Sequence, residues 1–153
     1  MEPGCIMLIN SFYNRTGTCP LAFLSNTNIA DDQVFDTDKV FEKEDLDLVR
    51  ECAKSKGIKL YEGSYNWAPG PNYESHLETK IGIDHHVGAF GMSTVYELMT
   101  AKKLGLKLIA VSMVSNLASV LNKVALTHKE VLEKMDLCVP KVRILIEELI
   151  SKI

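Results

Sequence analysis

Gly70-Pro71-Asn72-Tyr73-Glu74-Ser75 is the stretch that decides how this chain is interpreted, and two further polar runs follow it. They are Gly-Met-Ser-Thr-Val at residues 91–95 and Val-Ser-Met-Val-Ser-Asn at residues 111–116. Each run places polar groups on a loop that leaves a predicted strand, which is where an open α/β sheet gathers its ligand. The three runs therefore predict an α/β fold with a ligand site built from strand-end loops.

The N-terminal third of the chain shows one strand pattern and one helix pattern. Residues 6–9 form a short apolar run that predicts a buried strand, whereas residues 10–39 are polar and predict irregular structure. Apolar positions recur at helical spacing from Phe41 to Lys56. Gly57 can end that helix, because glycine readily adopts the backbone conformation of a helix C-terminus.

The middle of the chain contains several strand patterns. Residues 58–61 and 64–67 predict two short strands joined by a hairpin turn at Glu62-Gly63. Residues 88–91 predict another short strand, and residues 107–114 a stronger one. We expect part of a mixed sheet with flanking helices, in which the strand at residues 6–9 lies beside the strands at 64–67 and 107–114.

Capping boxes predict where three helices begin. In each box a hydroxyl and a carboxylate three residues later satisfy the first amide groups of the helix reciprocally. The pairs are Ser75 with Glu78, Thr94 with Glu97, and Thr127 with Glu130. Pro140 is expected to separate the helix at residues 127–138 from a last helix with an apolar stripe that includes Leu145 and Leu149.

Length and composition predict one globular domain. The chain has 153 residues, of which 46% are hydrophobic and 24% charged, so it can bury most of its apolar surface. The formal charge of -3 offers no basic patch, so we expect no nucleic-acid partner. The apolar runs fall short of the ~20 residues that cross a bilayer, and the N-terminus lacks a signal-peptide pattern. We expect a cytoplasmic protein without a membrane partner.

Cysteine and histidine spacing predicts neither a metal site nor a disulfide framework. The four cysteines show no CxxC pair and have no histidine close in sequence, so buried free thiols are expected. His85 and His86 are adjacent and His76 stands alone, without metal-ligand spacing. We therefore expect no metal and no cofactor.

The polar runs contain several residues suited to ligand chemistry. Glu74 stands at a predicted helix entrance, where its ionised carboxylate could accept hydrogen bonds, although it could also merely supplement the Ser75 cap. Asn116 can donate and accept at once, but an asparagine after a strand is also a common turn residue. Ser93 and Thr94 precede predicted helical amide groups that suit an anion, or they simply begin a helix.

The order and content of these runs resemble the second half of the trimeric purine nucleoside phosphorylases, which split inosine or guanosine with phosphate. The resemblance implies a nucleoside phosphorylase-like fold, pentosyltransferase activity on 6-oxopurine nucleosides, inorganic phosphate as co-substrate and the family's homotrimer. It also assigns roles to individual residues. Glu74 would accept from N1 and the 2-amino group of the purine, Asn116 would contact O6 and N7, Ser93 would contact phosphate, and Tyr65, Tyr73, Met92 and His128 would contact the ribose.

The first half of the family domain has no counterpart in this chain. That half carries a glycine-rich phosphate loop and the arginine and histidine contacts to phosphate, so we expect the chain alone to show little or no phosphorolysis. Two interpretations remain open at this stage. The chain is a fragment or truncated form of a working purine nucleoside phosphorylase, or it is a short, catalytically inactive chain that binds nucleosides or mediates subunit contacts.

Overall fold

The computed structural model describes residues 1–16, 40–118, 121 and 128–153. Within these residues the chain forms four strands and five helices. In chain order they are β1 (Cys5–Asn14), α1 (Lys43–Ser55), β2 (Leu60–Trp67), α2 (His76–Asp84), β3 (Val87–Gly91), α3 (Val95–Lys103), β4 (Val111–Val114), α4 (His128–Asp136) and α5 (Val139–Ile150).

The four strands form one mixed sheet in the order β3-β2-β1-β4. β1 and β2 are parallel, with Ile6 opposite Leu60, and β2 and β3 are also parallel. β4 is antiparallel to β1, so that Val114 pairs with Cys5 at the start of β1. The mixed α/β fold and the placement of the first strand between its two predicted neighbours are thus confirmed.

Apolar side chains cover both faces of the sheet, because successive strand residues point to opposite sides. Met7, Ile9 and Tyr65 pack on one face with α3. Leu8 packs on the other face with residues of α1 and α5, among them Val49 and Leu145. Full burial of such a side chain contributes roughly 1.5–3 kcal/mol, so this alternation within β1 stabilises both layers.

The predicted hairpin at Glu62-Gly63 is wrong, because residues 60–67 form the single strand β2. Glu62 and Gly63 pair with Leu8 and Ile9 of β1, and this pairing outweighs the local turn preference of the dipeptide. β1 also continues beyond the predicted strand, to Asn14. Its register shifts between Ile9 and Ser11, so an irregularity lies inside the strand instead of ending it.

Two of the predicted capping boxes lie within the described residues, and one of them forms. At the start of α2 the Glu78 amide donates to the Ser75 hydroxyl over 3.3 Å, and the Ser75 amide donates to the Glu78 carboxylate over 2.7 Å. At the start of α3 the prediction is wrong: Thr94 has φ +80° and its side chain makes no capping bond. Thr127 lies outside the described residues.

The structure confirms the helix end predicted at Gly57 but not the helix boundary predicted at Pro140. Gly57 has φ +64° and follows α1 after Lys56, the helix terminus that the sequence predicts. Pro140, in contrast, lies in the first turn of α5 and not between two helices, because the first turn tolerates a residue without an N–H donor. In α5, Leu145 and Leu149 are buried.

No helix in the part of the chain that the structure describes is long and apolar enough to cross a bilayer.

Candidate functional site

A cavity of about 280 Å³ lies where the three parallel strands end. The strand ends are level, because Asn14 pairs with Trp67 and Trp67 pairs with Gly91. Loops that leave parallel strands at one edge of a sheet converge there. The cavity is lined by Arg15, Asn66, Ala68, Pro69, Gly70, Asn72, Tyr73, Glu74, Glu78, Phe90, Gly91 and Met92.

The loop after β2 approaches the end of β3 closely. The Ala68 amide donates to the Gly91 carbonyl over 3.1 Å. Gly70 has φ +68°, and a β-carbon at this position would come within 2.6 Å of the Met92 sulfur. Residue 70 therefore needs glycine for its backbone conformation, and a larger residue there would also displace the end of the Met92 side chain.

One ion pair forms part of the cavity wall. Arg15 Nη2 lies 2.7 Å from Glu78 Oε1, and the Arg15 side chain is only 18% exposed. The pKa of Glu78 is lowered, mainly because the Ser75 backbone N–H donates to this carboxylate and, to a lesser extent, because Arg15 lies close by. Glu78 therefore holds the start of α2 and the end of β1 together.

Asn66 is a polar residue in an otherwise apolar part of β2, and it was not among the site residues predicted from the sequence. It is 1% exposed and lines the cavity. Among the described residues, neither its Oδ1 nor its Nδ2 has a hydrogen-bond partner. The sequence signal was the asparagine between Tyr65 and Trp67, in a strand whose neighbouring residues are buried aromatics.

Three of the predicted site residues line the cavity together: Tyr73, Glu74 and Met92. Tyr73 is 56% and Met92 41% exposed, so both can contact a molecule that enters from solvent. Tyr65 is buried in the core, and its hydroxyl fills the space that a β-carbon on Gly91 would need. Ser93 is exposed beside Met92, with its hydroxyl 3.3 Å from that of Thr94.

The last two predicted site residues, like Tyr65 and Ser93, are not among those that line the cavity. Asn116 follows β4, whose carboxyl end pairs with the beginning of β1, whereas the cavity lies at the end of β1. Its amide is occupied locally: Oδ1 accepts from the Ser115 hydroxyl over 2.6 Å, and Nδ2 donates to the Leu117 carbonyl over 2.9 Å. His128 is the first residue of α4, and its side chain lies outside the description.

The cavity groups suit a planar polar ligand. Glu74 can accept hydrogen bonds, Asn66 can donate and accept, and the exposed Tyr73 ring offers an apolar surface. Across the residues that the structure describes, no three His, Cys, Asp or Glu side chains are close enough together to hold a metal ion.

Comparisons with known proteins agree with this architecture. The family model of the phosphorylase superfamily matches residues 1–151. Purine nucleoside phosphorylase 1 of Geobacillus stearothermophilus is 32% identical over 132 residues, which are 86% of this chain and 48% of that protein. A probable 6-oxopurine nucleoside phosphorylase of Dictyoglomus turgidum is 30% identical over 156 residues, which cover 100% of this chain and 58% of that protein.

Solved structures give the same picture at the level of the fold. Isoform 2 of purine nucleoside phosphorylase from Schistosoma mansoni, in complex with cytosine and ribose-1-phosphate, superposes with a TM-score of 0.82 at 26% identity. The match covers 100% of this chain and 56% of that one. This chain thus spans about half the length of the relatives it matches. Because the family model covers nearly all of its residues, the chain belongs to the phosphorylase superfamily.

Proposed function

We propose that this chain forms the purine-binding part of a purine nucleoside phosphorylase that acts on 6-oxopurine nucleosides. The observation that carries the proposal is the position of Glu74 in the strand-end cavity, together with Tyr73 and Met92. A carboxylate is purely an acceptor, so Glu74 suits the edge of hypoxanthine or guanine on which N1–H is a donor. A 6-aminopurine presents an acceptor at N1, which cannot donate to the carboxylate.

In the proposed reaction, a phosphate oxygen forms a bond to C1′ of the ribose while the bond from C1′ to N9 of the base breaks. The electron pair of the broken bond passes into the purine, which becomes more basic and takes up a proton. A group that hydrogen-bonds the base more strongly as this charge develops lowers the barrier. Glu74 positions the base, and by family resemblance Asn116 stabilises the charge near N7.

The remaining roles follow the resemblance. Ser93 contributes to phosphate binding, and Tyr65, Tyr73, Met92 and His128 contact the ribose. Inorganic phosphate is the co-substrate, and the family's homotrimer is the assembly to test. None of these roles requires a metal or an organic cofactor.

The binding test compares hypoxanthine and adenine on the 153-residue chain by calorimetry. Glu74→Ala should weaken hypoxanthine binding about 30-fold to 150-fold, because the lost bond to a charged acceptor contributes roughly 2 to 3 kcal/mol. Adenine binding should change far less. Glu97→Ala, an exposed carboxylate on α3 outside the cavity lining, is the control and should bind as the unmodified chain does. Equal losses for both bases would reject the assignment of Glu74.

A second candidate function is nucleoside binding without turnover. Among the described residues that line the cavity, Arg15 is the one cationic side chain, and it is paired with Glu78. Little positive charge is therefore available there for an attacking phosphate. Release of hypoxanthine from inosine under excess phosphate distinguishes the two functions when the chain is completed with the N-terminal half of a relative: turnover of about 1 per second or faster supports the enzyme, and binding without release supports the binding module.

A further inference from the structure

The ion pair between Arg15 and Glu78 differs from the other ion pairs that the structure describes. It joins residues 63 positions apart, one directly after β1 and the other in the first turn of α2, and both side chains line the cavity. The Arg15 side chain is 18% exposed, the least of any cation in the described ion pairs. Exposed pairs within one helix, such as Arg143 with Glu147, contribute little to stability. The location of the Arg15 pair indicates a role in the cavity as well as in the fold.

Arg15 is held by its backbone as well as by its side chain. Its amide donates to the Trp67 carbonyl over 3.1 Å, where the paired parts of β1 and β2 end. Its Nη2 donates to Glu78 Oε1 over 2.7 Å. A guanidinium is planar and always charged, so it orients a carboxylate more narrowly than an ammonium group does. Arg15 thus connects the first turn of α2 to the ends of two strands.

The same Glu78 carboxylate fixes the Ser75 backbone. Its Oε2 accepts from the Ser75 amide over 2.7 Å. The Ser75 carbonyl in turn accepts from the Thr79 amide over 2.9 Å and from the Thr79 hydroxyl over 3.1 Å. The Ser75 amide belongs to a planar peptide unit that also contains Cα of Glu74. The orientation of Glu78 therefore constrains the backbone of Glu74, which lines the same cavity.

We propose that Arg15 is a positioning residue that acts through Glu78 to hold Glu74 where it accepts hydrogen bonds from a 6-oxopurine base. The inference rests on the proposed function, which assigns recognition of the base to Glu74. Without the guanidinium, one oxygen of the Glu78 carboxylate loses its bond and the carboxylate can rotate. Binding then includes the cost of restoring the orientation of Glu74, so the affinity for hypoxanthine falls.

The test measures the affinity of the 153-residue chain for hypoxanthine and adenine by calorimetry. The unmodified chain should prefer hypoxanthine. Arg15→Met keeps a long unbranched side chain without its charge. It should weaken hypoxanthine binding about tenfold and reduce the preference over adenine.

Arg50→Met is the matched control for the loss of an arginine. Arg50 Nη2 also lies 2.7 Å from a glutamate oxygen, that of Glu62, and neither residue is among the described residues that line the cavity. Arg50→Met should keep the affinity for hypoxanthine and the preference over adenine. Equal losses in Arg15→Met and Arg50→Met would overturn the inference.

A double-mutant cycle separates positioning from a merely structural role. In the Glu74→Ala background, Arg15→Met should change the hypoxanthine affinity less than about twofold, because no carboxylate remains at residue 74 to be positioned. If the tenfold loss persists in that background, Arg15 acts on the cavity by another route and the inference is wrong.

A second variant decides the question if Arg15→Met does not fold. Glu78→Gln keeps an oxygen that can accept from the Ser75 amide, but it removes the negative charge that attracts Arg15. Its preference for hypoxanthine should be reduced, again only when Glu74 is present. Retention of the full preference by Glu78→Gln would overturn the inference.

The outcomes also separate this inference from the proposed function. If the unmodified chain binds neither base, or if Glu74→Ala keeps the preference for hypoxanthine, the proposed function is rejected and the inference with it. If Glu74→Ala removes the preference while Arg15→Met and Glu78→Gln keep it, only the role of Arg15 is rejected.

Discussion

The cavity at the ends of β1, β2 and β3 and the loop at the end of β4 are both strand-end regions, yet they differ in how their polar groups are satisfied. In the cavity, the Asn66 amide has no partner among the described residues. In the loop after β4, the Asn116 amide bonds to both of its sequence neighbours. The first region thus contains a buried amide without a partner among the described residues, whereas the second region uses its amide to hold its own conformation.

Strand direction explains the separation of the two regions. All three parallel strands deliver their following loops to one edge of the sheet, whereas antiparallel β4 delivers its loop beside the start of β1. Sequence motifs therefore indicate which residues follow strands, but only the sheet topology determines which of these residues meet. The following predictions test the contrast, from the largest expected effect to the smallest.

Gly91→Ala should destabilise the fold by about 3 kcal/mol, because the new β-carbon would overlap the buried Tyr65 hydroxyl and ring. Ser115→Ala, in the loop after β4, should cost about 1 kcal/mol through one lost hydrogen bond to Asn116. Urea denaturation of both variants measures the difference. Equal losses would show that the cavity edge is no more tightly constrained than the β4 loop.

Asn66→Leu and Asn116→Leu should change stability in opposite directions. Without ligand, Asn66→Leu should raise the free energy of unfolding by about 1 to 2 kcal/mol, because it removes a buried amide without protein partners. Asn116→Leu should lower it by about 1 kcal/mol, because two local bonds are lost. Urea denaturation measures the free energy of unfolding of both variants. Destabilisation by both substitutions would contradict the expected difference between the two regions.

Ser75→Ala should cost about 1 kcal/mol, because it removes the hydroxyl that accepts from the Glu78 amide at the start of α2. Thr94→Ala is the matched control, since the sequence predicts the same cap there and the structure shows none. We expect a change below about 0.5 kcal/mol for that variant. Comparable losses in the two would mean that Thr94 also caps its helix in solution.

Glu78 should add a small acid-dependent contribution to stability. Its pKa in the folded chain is lowered from the ordinary value of 4.5, so the stabilisation is present above that pH and is lost as the pH falls through the lowered pKa. The unmodified chain should therefore lose stability more steeply below about pH 4.5 than Glu78→Gln. Parallel pH profiles for the two chains would contradict this expectation.

Two of the features predicted correctly from the sequence depend on local chemistry alone. The Ser75 capping box and the Gly57 helix end require only residues close together in the chain, and both form. The hairpin at Glu62-Gly63 was predicted on the same local basis, but pairing with β1, more than fifty residues away, produces a continuous strand. A turn preference is weak compared with a ladder of hydrogen bonds in a sheet.

The candidate site likewise contains residues that were predicted from the sequence and residues that were found only in the structure. Tyr73, Glu74 and Met92 were identified from motifs, and they lie together in the cavity. The Arg15–Glu78 ion pair was missed because its partners are 63 residues apart. Asn66 was missed because the lack of a partner is a property of the folded surroundings and is not visible in the strand pattern.

The contact between Gly70 and Met92 gives the cavity a chemical vulnerability. The Met92 side chain is 41% exposed, and its sulfur fills the space beside residue 70 that any larger residue would occupy. Oxidation to the sulfoxide would add a polar oxygen to a sulfur that lies against residue 70. Because Met92 lines the cavity, a sulfoxide there would change the polarity of the surface that a ligand meets, so the oxidation state of Met92 should be checked by mass spectrometry before any ligand measurement.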